Sequence, residues 1–205
     1  MSFKDIKEQE QQKVQEEKIK QELLAELKGL LKDYNNLNYE YENSEKFLSQ
    51  KSSFLNEGIE GFKSFFKEQG FLISEKGNSD SIFEITATVE GSTFEVECTV
   101  NKEAFELHIV IKNKEYETLY VRELRPYKDK CQCIIDSDGE LDIINKERRN
   151  DVLFLKTQIN NIKEDISEIK NLLNNINPTF FYRLHNDESQ VTSIVEYLND
   201  LDKRI

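Results

Sequence analysis

Two stretches of the chain repeat apolar residues at alternating steps of three and four positions, a spacing that puts them on one face of an α-helix. The first runs from Leu23 to Leu55 and is interrupted by Ser44 and Lys51, whereas the second runs from Val152 without a polar break. We call these two stripes the seams, and each predicts a long helix of the coiled-coil type. The seam residues expected to pair are Leu27, Leu30, Leu37, Ile159, Ile162, Ile166 and Ile169.

Residues 71–144, between the seams, alternate apolar and polar residues with a period of two. Short runs of this kind separated by short gaps predict an antiparallel sheet built from hairpins. Gly58 and Gly61 are expected to end the first long helix, and a short Phe-rich helix that stops at Gly70 is expected to cover the sheet. A last hairpin is predicted around the turn at 136–139.

The predicted fold class is therefore α+β, with two long coiled-coil-type helices flanking a small antiparallel sheet and its covering helix. It divides the chain into a helical arm (1–57), a sheet domain (58–145) and a last segment (146–205), which contains a long coiled-coil helix and a short helix starting at Asp187. The seams are expected to pair within one chain as an antiparallel hairpin, or alternatively between copies of the chain. Because isoleucine at both seam positions favours multi-stranded coils, we also expect a homo-oligomer.

Charge separates the middle of the chain from its ends. The formal net charge is -12, and residues 58–145 carry 10 basic and 18 acidic side chains. Such an acidic segment repels phosphate backbones, so we expect no direct binding of nucleic acid. No apolar run is long enough for a membrane helix, and three cysteines in a chain of this size favour a reducing, cytoplasmic location.

The strand pattern also allows a register to be predicted. Two-residue loops at Glu90–Gly91 and Lys102–Glu103 keep the apolar residues on one face and set Glu84 opposite Glu97, and Glu97 opposite His108. Two carboxylates and an imidazole in one row are a weak candidate for a metal or acid–base site. An ordinary solvated sheet face is the favoured interpretation, and we expect no catalytic residue, metal or cofactor.

Cys131 and Cys133 are predicted to share one face of a strand. Together with Cys98 and a histidine they could build a zinc site, but their spacing is not that of common zinc knuckles. Because both continue an apolar alternation to Ile135, core packing is favoured. The segment 136–142 resembles part of a calcium loop, yet its Gly139 is in the fourth position and indicates a hairpin turn.

One basic cluster, which comprises Arg122, Arg125, Lys128 and Lys130, lies near two tyrosines in the sequence. The residues expected to bind a partner are Glu95, Glu97, Tyr120, Arg122 and Arg125. We expect a non-enzymatic protein–protein interaction module, an adaptor, scaffold or chaperone-like protein that presents an acidic β-domain on a coiled-coil stalk. The alternative is an inhibitor or decoy whose acidic domain blocks a basic site on its partner, and a metal-dependent enzyme is the least favoured hypothesis.

A helix followed by an antiparallel sheet over residues 59–111 is similar to the fold pattern of secretion-effector chaperones. A coil that leads into a helix-plus-sheet module is similar to kinetochore-type adaptor domains. Neither similarity rests on a motif, so we assign the chain to no family.

Overall fold

A computed structural model describes residues 3–77, 79–111, 114–143, 148, 151–185 and 189–204 of the chain. The helices among them are α1 (Phe3–Glu42), α2 (Glu45–Glu68), α3 (Val152–Asn174) and α4 (Ile194–Asp202). The strands are β1 (Leu72–Gly77), β2 (Ile82–Thr88), β3 (Glu95–Asn101), β4 (Glu106–Ile111), β5 (Lys114–Leu124), β6 (Cys133–Ile135), β7 (Leu141–Ile143), β8 (Thr179–Leu184) and β9 (Gln190–Val191).

The predicted α+β class is confirmed. Seven strands form one antiparallel sheet in the order β1-β2-β3-β4-β5-β8-β9, and β6 pairs with β7 in a separate two-stranded sheet. The hairpin predicted around residues 136–139 is present, because Gly139 donates its N–H to the Asp136 carbonyl oxygen (3.0 Å) and has a φ of 78°. No helix in the described part of the chain combines the length and the apolar character needed to cross a bilayer.

The chain divides into two units, and each unit is assembled from two separate segments. Unit 1 comprises residues 1–44 and 126–177, with α1, α3 and the β6–β7 hairpin. Unit 2 comprises residues 45–125 and 178–205, with α2, the seven-stranded sheet and α4. These boundaries differ from the predicted segments, because residue 57 lies inside α2 and the chain returns to the large sheet after α3.

The core of unit 1 forms where α1 and α3 pack against each other, with β6 also contacting α1. The seam residues Leu27, Ile159, Ile162 and Ile169 are buried, while Leu30, Leu37 and Ile166 are half-buried. The Lys163 ammonium also lies 2.8 Å from a Glu26 carboxylate oxygen across the two helices. The two helices thus meet within one chain, whereas the side chains of α1 before Leu23 remain largely exposed.

The predicted break at Gly58 and Gly61 is wrong, because both glycines lie within α2 and the first helix ends at Glu42. A Cβ added to Gly58 would lie 1.9 Å from the Tyr182 hydroxyl oxygen, and one added to Gly61 would lie 2.7 Å from Cγ2 of Ile194. These glycines are therefore explained by the close approach of β8 and α4 to α2, and not by the end of a helix.

In unit 2, α2 covers one face of the large sheet, as expected for the Phe-rich segment. The Tyr182 hydroxyl donates to the Phe54 carbonyl oxygen (3.1 Å), and the rings of Phe47 and Phe180 meet edge to face at 5.5 Å. We call this covered side the inner face. Its buried residues include Ile85, Ala87, Val96, Val100, Leu107, Ile109, Leu119 and Val121.

Three further differences from the prediction concern β8, the β6–β7 hairpin and the last helix. Strand β8 was not expected, and it pairs with β5 because its alternating buried side chains, such as Phe180 and Tyr182, complete the inner face. The strands β6 and β7 belong to unit 1 and not to the large sheet. The last helix begins at Ile194, where the Ser193 hydroxyl accepts the N–H of Glu196 (3.1 Å), and Asp187 lies outside the described residues.

Candidate functional site

The side of the large sheet opposite α2 is the outer face, and it carries polar side chains. The alternation of polar and apolar residues along β2, β3, β4 and β5 places these residues there, since most of their neighbours in sequence are buried on the inner face; Thr86 is on the outer face but is itself buried. The outer-face residues that matter below are Glu84, Thr86, Glu95, Glu97, Thr99, His108, Thr118, Tyr120 and Arg122.

The predicted row of Glu84, Glu97 and His108 is wrong by two residues at each hairpin. Glu97 pairs with Thr86 on β2 and with Val110 on β4. Glu84 and His108 instead lie on either side of Thr99. The predicted faces are nonetheless correct, because a slip of two residues returns every side chain to the same face.

Loop chemistry explains this slip. The turn at 89–92 forms where expected, with Gly91 at a φ of 75°. The Ser92 hydroxyl then accepts the N–H of Phe94 (3.0 Å), and the first strand pair after the turn is Thr88 with Glu95. In the next loop, the Asn101 side-chain oxygen accepts the N–H groups of Glu103 and Ala104 at 3.1 Å each. These side-chain bonds stabilise loops longer than two residues.

Three carboxylates, Glu84, Glu95 and Glu97, form an acidic cluster on β2 and β3 of the outer face. Partial burial raises the pKa of Glu97, and the nearby carboxylates of Glu84 and Glu95 raise it further, while Lys76 opposes them. The Thr86 hydroxyl donates to a Glu84 oxygen at 3.3 Å. The cluster is therefore a place where negative charge is concentrated and only partly neutralised.

Towards β5 and β8 the outer face changes character. The Arg122 guanidinium lies 5.3 Å from the centre of the Tyr120 ring, and the His185 ring meets the same ring edge to face at 5.9 Å. Arg183 pairs with Tyr120 across the two strands. We call Tyr120, Arg122, Arg183 and His185 the aromatic–cationic cluster. His108, one strand away, has its Nδ1 2.8 Å from the Thr118 hydroxyl.

The predicted basic cluster is divided between the units. Arg122 and Arg125 belong to unit 2, whereas Lys128 and Lys130 belong to unit 1. Arg125 follows the end of β5 and donates from Nε to Glu123 (3.1 Å), whose side chain is almost fully buried. Of the five expected partner-binding residues, Glu95, Glu97, Tyr120 and Arg122 thus share the outer face, and Arg125 does not.

No cluster of three or more histidine, cysteine, aspartate or glutamate side chains suited to a metal ion occurs in the described ranges. Cys98 is fully buried on the inner face, and burial raises its pKa to about 12. Cys133 is buried in unit 1, as core packing predicted, whereas Cys131 is half-buried.

Two buried polar residues of α3, Gln158 and Asp165, were not predicted from the sequence. The Asp165 carboxylate accepts the backbone N–H of Lys130 (3.0 and 3.1 Å) and of Cys131 (2.9 Å). The Gln158 side-chain oxygen accepts the N–H of Gln132 (2.7 Å). Their spacing of seven residues beside the second seam was the available signal, because it puts both on the buried side of the same helix.

The chain matches no protein family, no curated protein and no solved structure. Its function must therefore be argued from its own residues.

Proposed function

We propose that the chain is a non-enzymatic protein–protein interaction module, an adaptor, scaffold or chaperone-like protein, and that the outer face of unit 2 is its recognition surface. The observation that carries this proposal is the presence of two clusters of opposite charge on one face of one sheet. The acidic cluster lies on β2 and β3. The aromatic–cationic cluster lies on β5 and β8, and its His185 directly follows β8.

The chemistry of these clusters favours a protein as the partner. Tyrosine and arginine are enriched among residues that dominate binding energy at protein interfaces, and here Arg122 stacks on Tyr120. Charges of both signs on one face fix the orientation of a partner and repel wrongly oriented encounters. A nucleic acid would meet the repulsive carboxylates of Glu84, Glu95 and Glu97 on the same face.

The proposal includes a homo-oligomer in the cytoplasm. The first part of α1 exposes apolar side chains, with Phe3 at 93% and Val14 at 70% relative exposure. Because most of the stability of a helix in a protein comes from packing of its apolar side, pairing in the coiled-coil manner with a second copy would stabilise this exposed segment. Light scattering of the full chain and of Val14→Glu tests it: the oligomer should dissociate, whereas an unchanged mass contradicts self-association through this segment.

The decoy is the second candidate function, and the raised pKa of Glu97 favours it. Carboxylates that repel one another, as Glu84, Glu95 and Glu97 do, are stabilised when a basic partner neutralises them. This hypothesis predicts binding that weakens steeply with salt and depends on the acidic cluster alone.

One set of charge reversals separates the candidates. The partner is first identified as the protein that the full chain binds. Its affinity is then measured for Glu95→Lys/Glu97→Lys, for Tyr120→Ala/Arg122→Glu and for the control Glu68→Lys, which lies on the exposed side of α2. If both clusters of the outer face bind the partner, either double variant lowers the affinity at least about tenfold. Loss with the acidic variant alone indicates the decoy, and full affinity in all three variants refutes the outer face as the binding surface.

A further inference from the structure

Cys131 and Cys133 differ in their surroundings although they are only two residues apart. Cys133 starts β6 and is 3% exposed, whereas Cys131 precedes the strand and is partly open to solvent. The Cys131 thiol donates a long hydrogen bond to the carbonyl oxygen of Cys133, with 3.9 Å between sulfur and oxygen. The side chain of Cys131 is therefore directed along the chain towards Cys133.

The backbone of this segment is held by α3. Asp165 and Gln158 are 1% and 2% exposed, and together they accept three consecutive backbone N–H groups, those of residues 130, 131 and 132. Hydrogen bonds to a buried carboxylate are among the stronger ones in proteins. The backbone of Cys131 is thus fixed before any reaction begins.

The two thiols also differ in acidity. A hydrogen bond from the Cys133 thiol lowers the pKa of Cys131, although burial and the carboxylates of Asp165 and Asp129 oppose this effect. The same interaction raises the pKa of Cys133, and burial raises it further. Cys131 is therefore the more acidic and the more exposed of the two thiols, and it becomes the nucleophile of the pair when its long hydrogen bond to the Cys133 carbonyl oxygen is released.

We propose that Cys131 and Cys133 are a redox-active thiol pair that exchanges with low-molecular-weight disulfides and closes reversibly into an intramolecular disulfide. Only Gln132 separates the two cysteines, so a disulfide between them closes a very small ring that departs from relaxed disulfide geometry. The bond therefore closes with strain, and strained disulfides are the easily reduced, labile ones.

Oxidised glutathione serves as the co-reactant in two balanced steps. The Cys131 thiolate attacks one glutathione sulfur, the glutathione S–S bond breaks, and one glutathione thiolate leaves. Cys133 then attacks Sγ of Cys131, the mixed S–S bond breaks, and the departing second glutathione sulfur takes up the proton of the Cys133 thiol. Two protein thiols are oxidised and one glutathione disulfide is reduced to two glutathione molecules after protonation.

The test equilibrates the full chain with defined ratios of reduced and oxidised glutathione, blocks the remaining thiols and maps the bonds by mass spectrometry. We expect a disulfide between Cys131 and Cys133 that disappears when reduced glutathione is restored. Cys133→Ser should accumulate a mixed disulfide on Cys131, and Cys131→Ser should leave Cys133 unmodified. Cys98, buried in unit 2, is the internal control and should react at least about tenfold more slowly than Cys131.

Other results overturn the proposal. A lasting glutathione adduct on Cys131 of the unsubstituted chain shows that Cys133 does not resolve it. The absence of any reaction over the whole range of ratios, or equal reactivity of all three cysteines, shows that no specific pair exists. Because the bond is mapped in the unsubstituted chain, the decision does not depend on whether either serine variant folds.

Discussion

Replacement of Gly58 by alanine tests the claim that this glycine is required by packing and not by a helix end. Gly58 lies in the middle of α2, and an added Cβ would approach the Tyr182 hydroxyl oxygen to 1.9 Å and its ring carbon Cζ to 2.9 Å. Tyr182 is 1% exposed, so its ring has little room to move away. Gly29 in α1 is the matched control, because nothing lies within 4 Å of its added Cβ.

Helix propensity, overpacking and a lost hydrogen bond determine how Gly58→Ala changes the free energy of unfolding. Alanine in place of a helical glycine gains about 0.5–1 kcal/mol from helix propensity, and Gly29→Ala should show this gain. At Gly58 the same gain is opposed by overpacking, which costs about 1–3 kcal/mol. Displacement of Tyr182 also breaks its hydrogen bond to the Phe54 carbonyl, a further cost of about 1–3 kcal/mol. We expect Gly58→Ala to destabilise unit 2 by about 3 kcal/mol.

Urea denaturation followed by circular dichroism measures the free energy of unfolding, and hydrogen exchange of α2 and β8 assigns the loss to unit 2. In a Tyr182→Phe background the atom nearest to the new Cβ is removed, so the penalty of Gly58→Ala should fall by roughly half. If Gly58→Ala raises the unfolding midpoint as much as Gly29→Ala does, the packing argument is refuted.

Three further predictions concern single side chains. Asp165→Ala should destabilise unit 1 by about 3 kcal/mol in urea denaturation, because the backbone N–H groups of Lys130 and Cys131 lose a charged acceptor. The control is Glu164→Ala, which breaks an exposed ion pair and should cost less than about 1 kcal/mol. The pKa of Glu97 is raised above 4.5 in the folded state, so the folded chain binds the carboxyl proton of Glu97 more tightly than the unfolded chain does. The free energy of unfolding therefore falls as the pH rises from below 4.5 to above the pKa of Glu97 in the folded state. Glu97→Gln should therefore raise the melting temperature more at pH 7 than at pH 4, and equal shifts contradict this reasoning. Asn101→Ala should lower the melting temperature through loss of about 1 kcal/mol, and hydrogen exchange at β3 and β4 should report weaker pairing.

The sequence was sufficient for the fold class and for the assignment of side chains to faces. Period-two alternation identifies the buried face of each strand, as Ile85 and Val96 show, and the second seam identifies the buried side of α3. It was not sufficient for the register, because two registers that differ by two residues bury the same side chains. The hydrogen bonds of Ser92 and Asn101 help to distinguish them, and these bonds depend on loop conformation.

The remaining misses have a common physical origin in tertiary contacts. The local sequence predicts that Gly58 and Gly61 break a helix. Both glycines instead allow the close approach of Tyr182 and Ile194, which are far away in the sequence. Strand β8 follows a long helix directly, so nothing local indicates that it returns to pair with β5. In the candidate site, the membership of Tyr120 in the outer face was predictable, but its contact with His185 required β8 to be placed.

The division of each unit into two segments has a consequence for biosynthesis. When the ribosome has released the chain as far as Arg125, unit 2 still lacks β8, β9 and α4, and unit 1 has only α1. All of unit 1 precedes Pro178, whereas unit 2 is completed only by residues 178–205. Until then the edge of β5 that pairs with β8 is open, as is the part of α2 that packs on Tyr182 and Ile194, and unpaired strand edges of this kind promote aggregation.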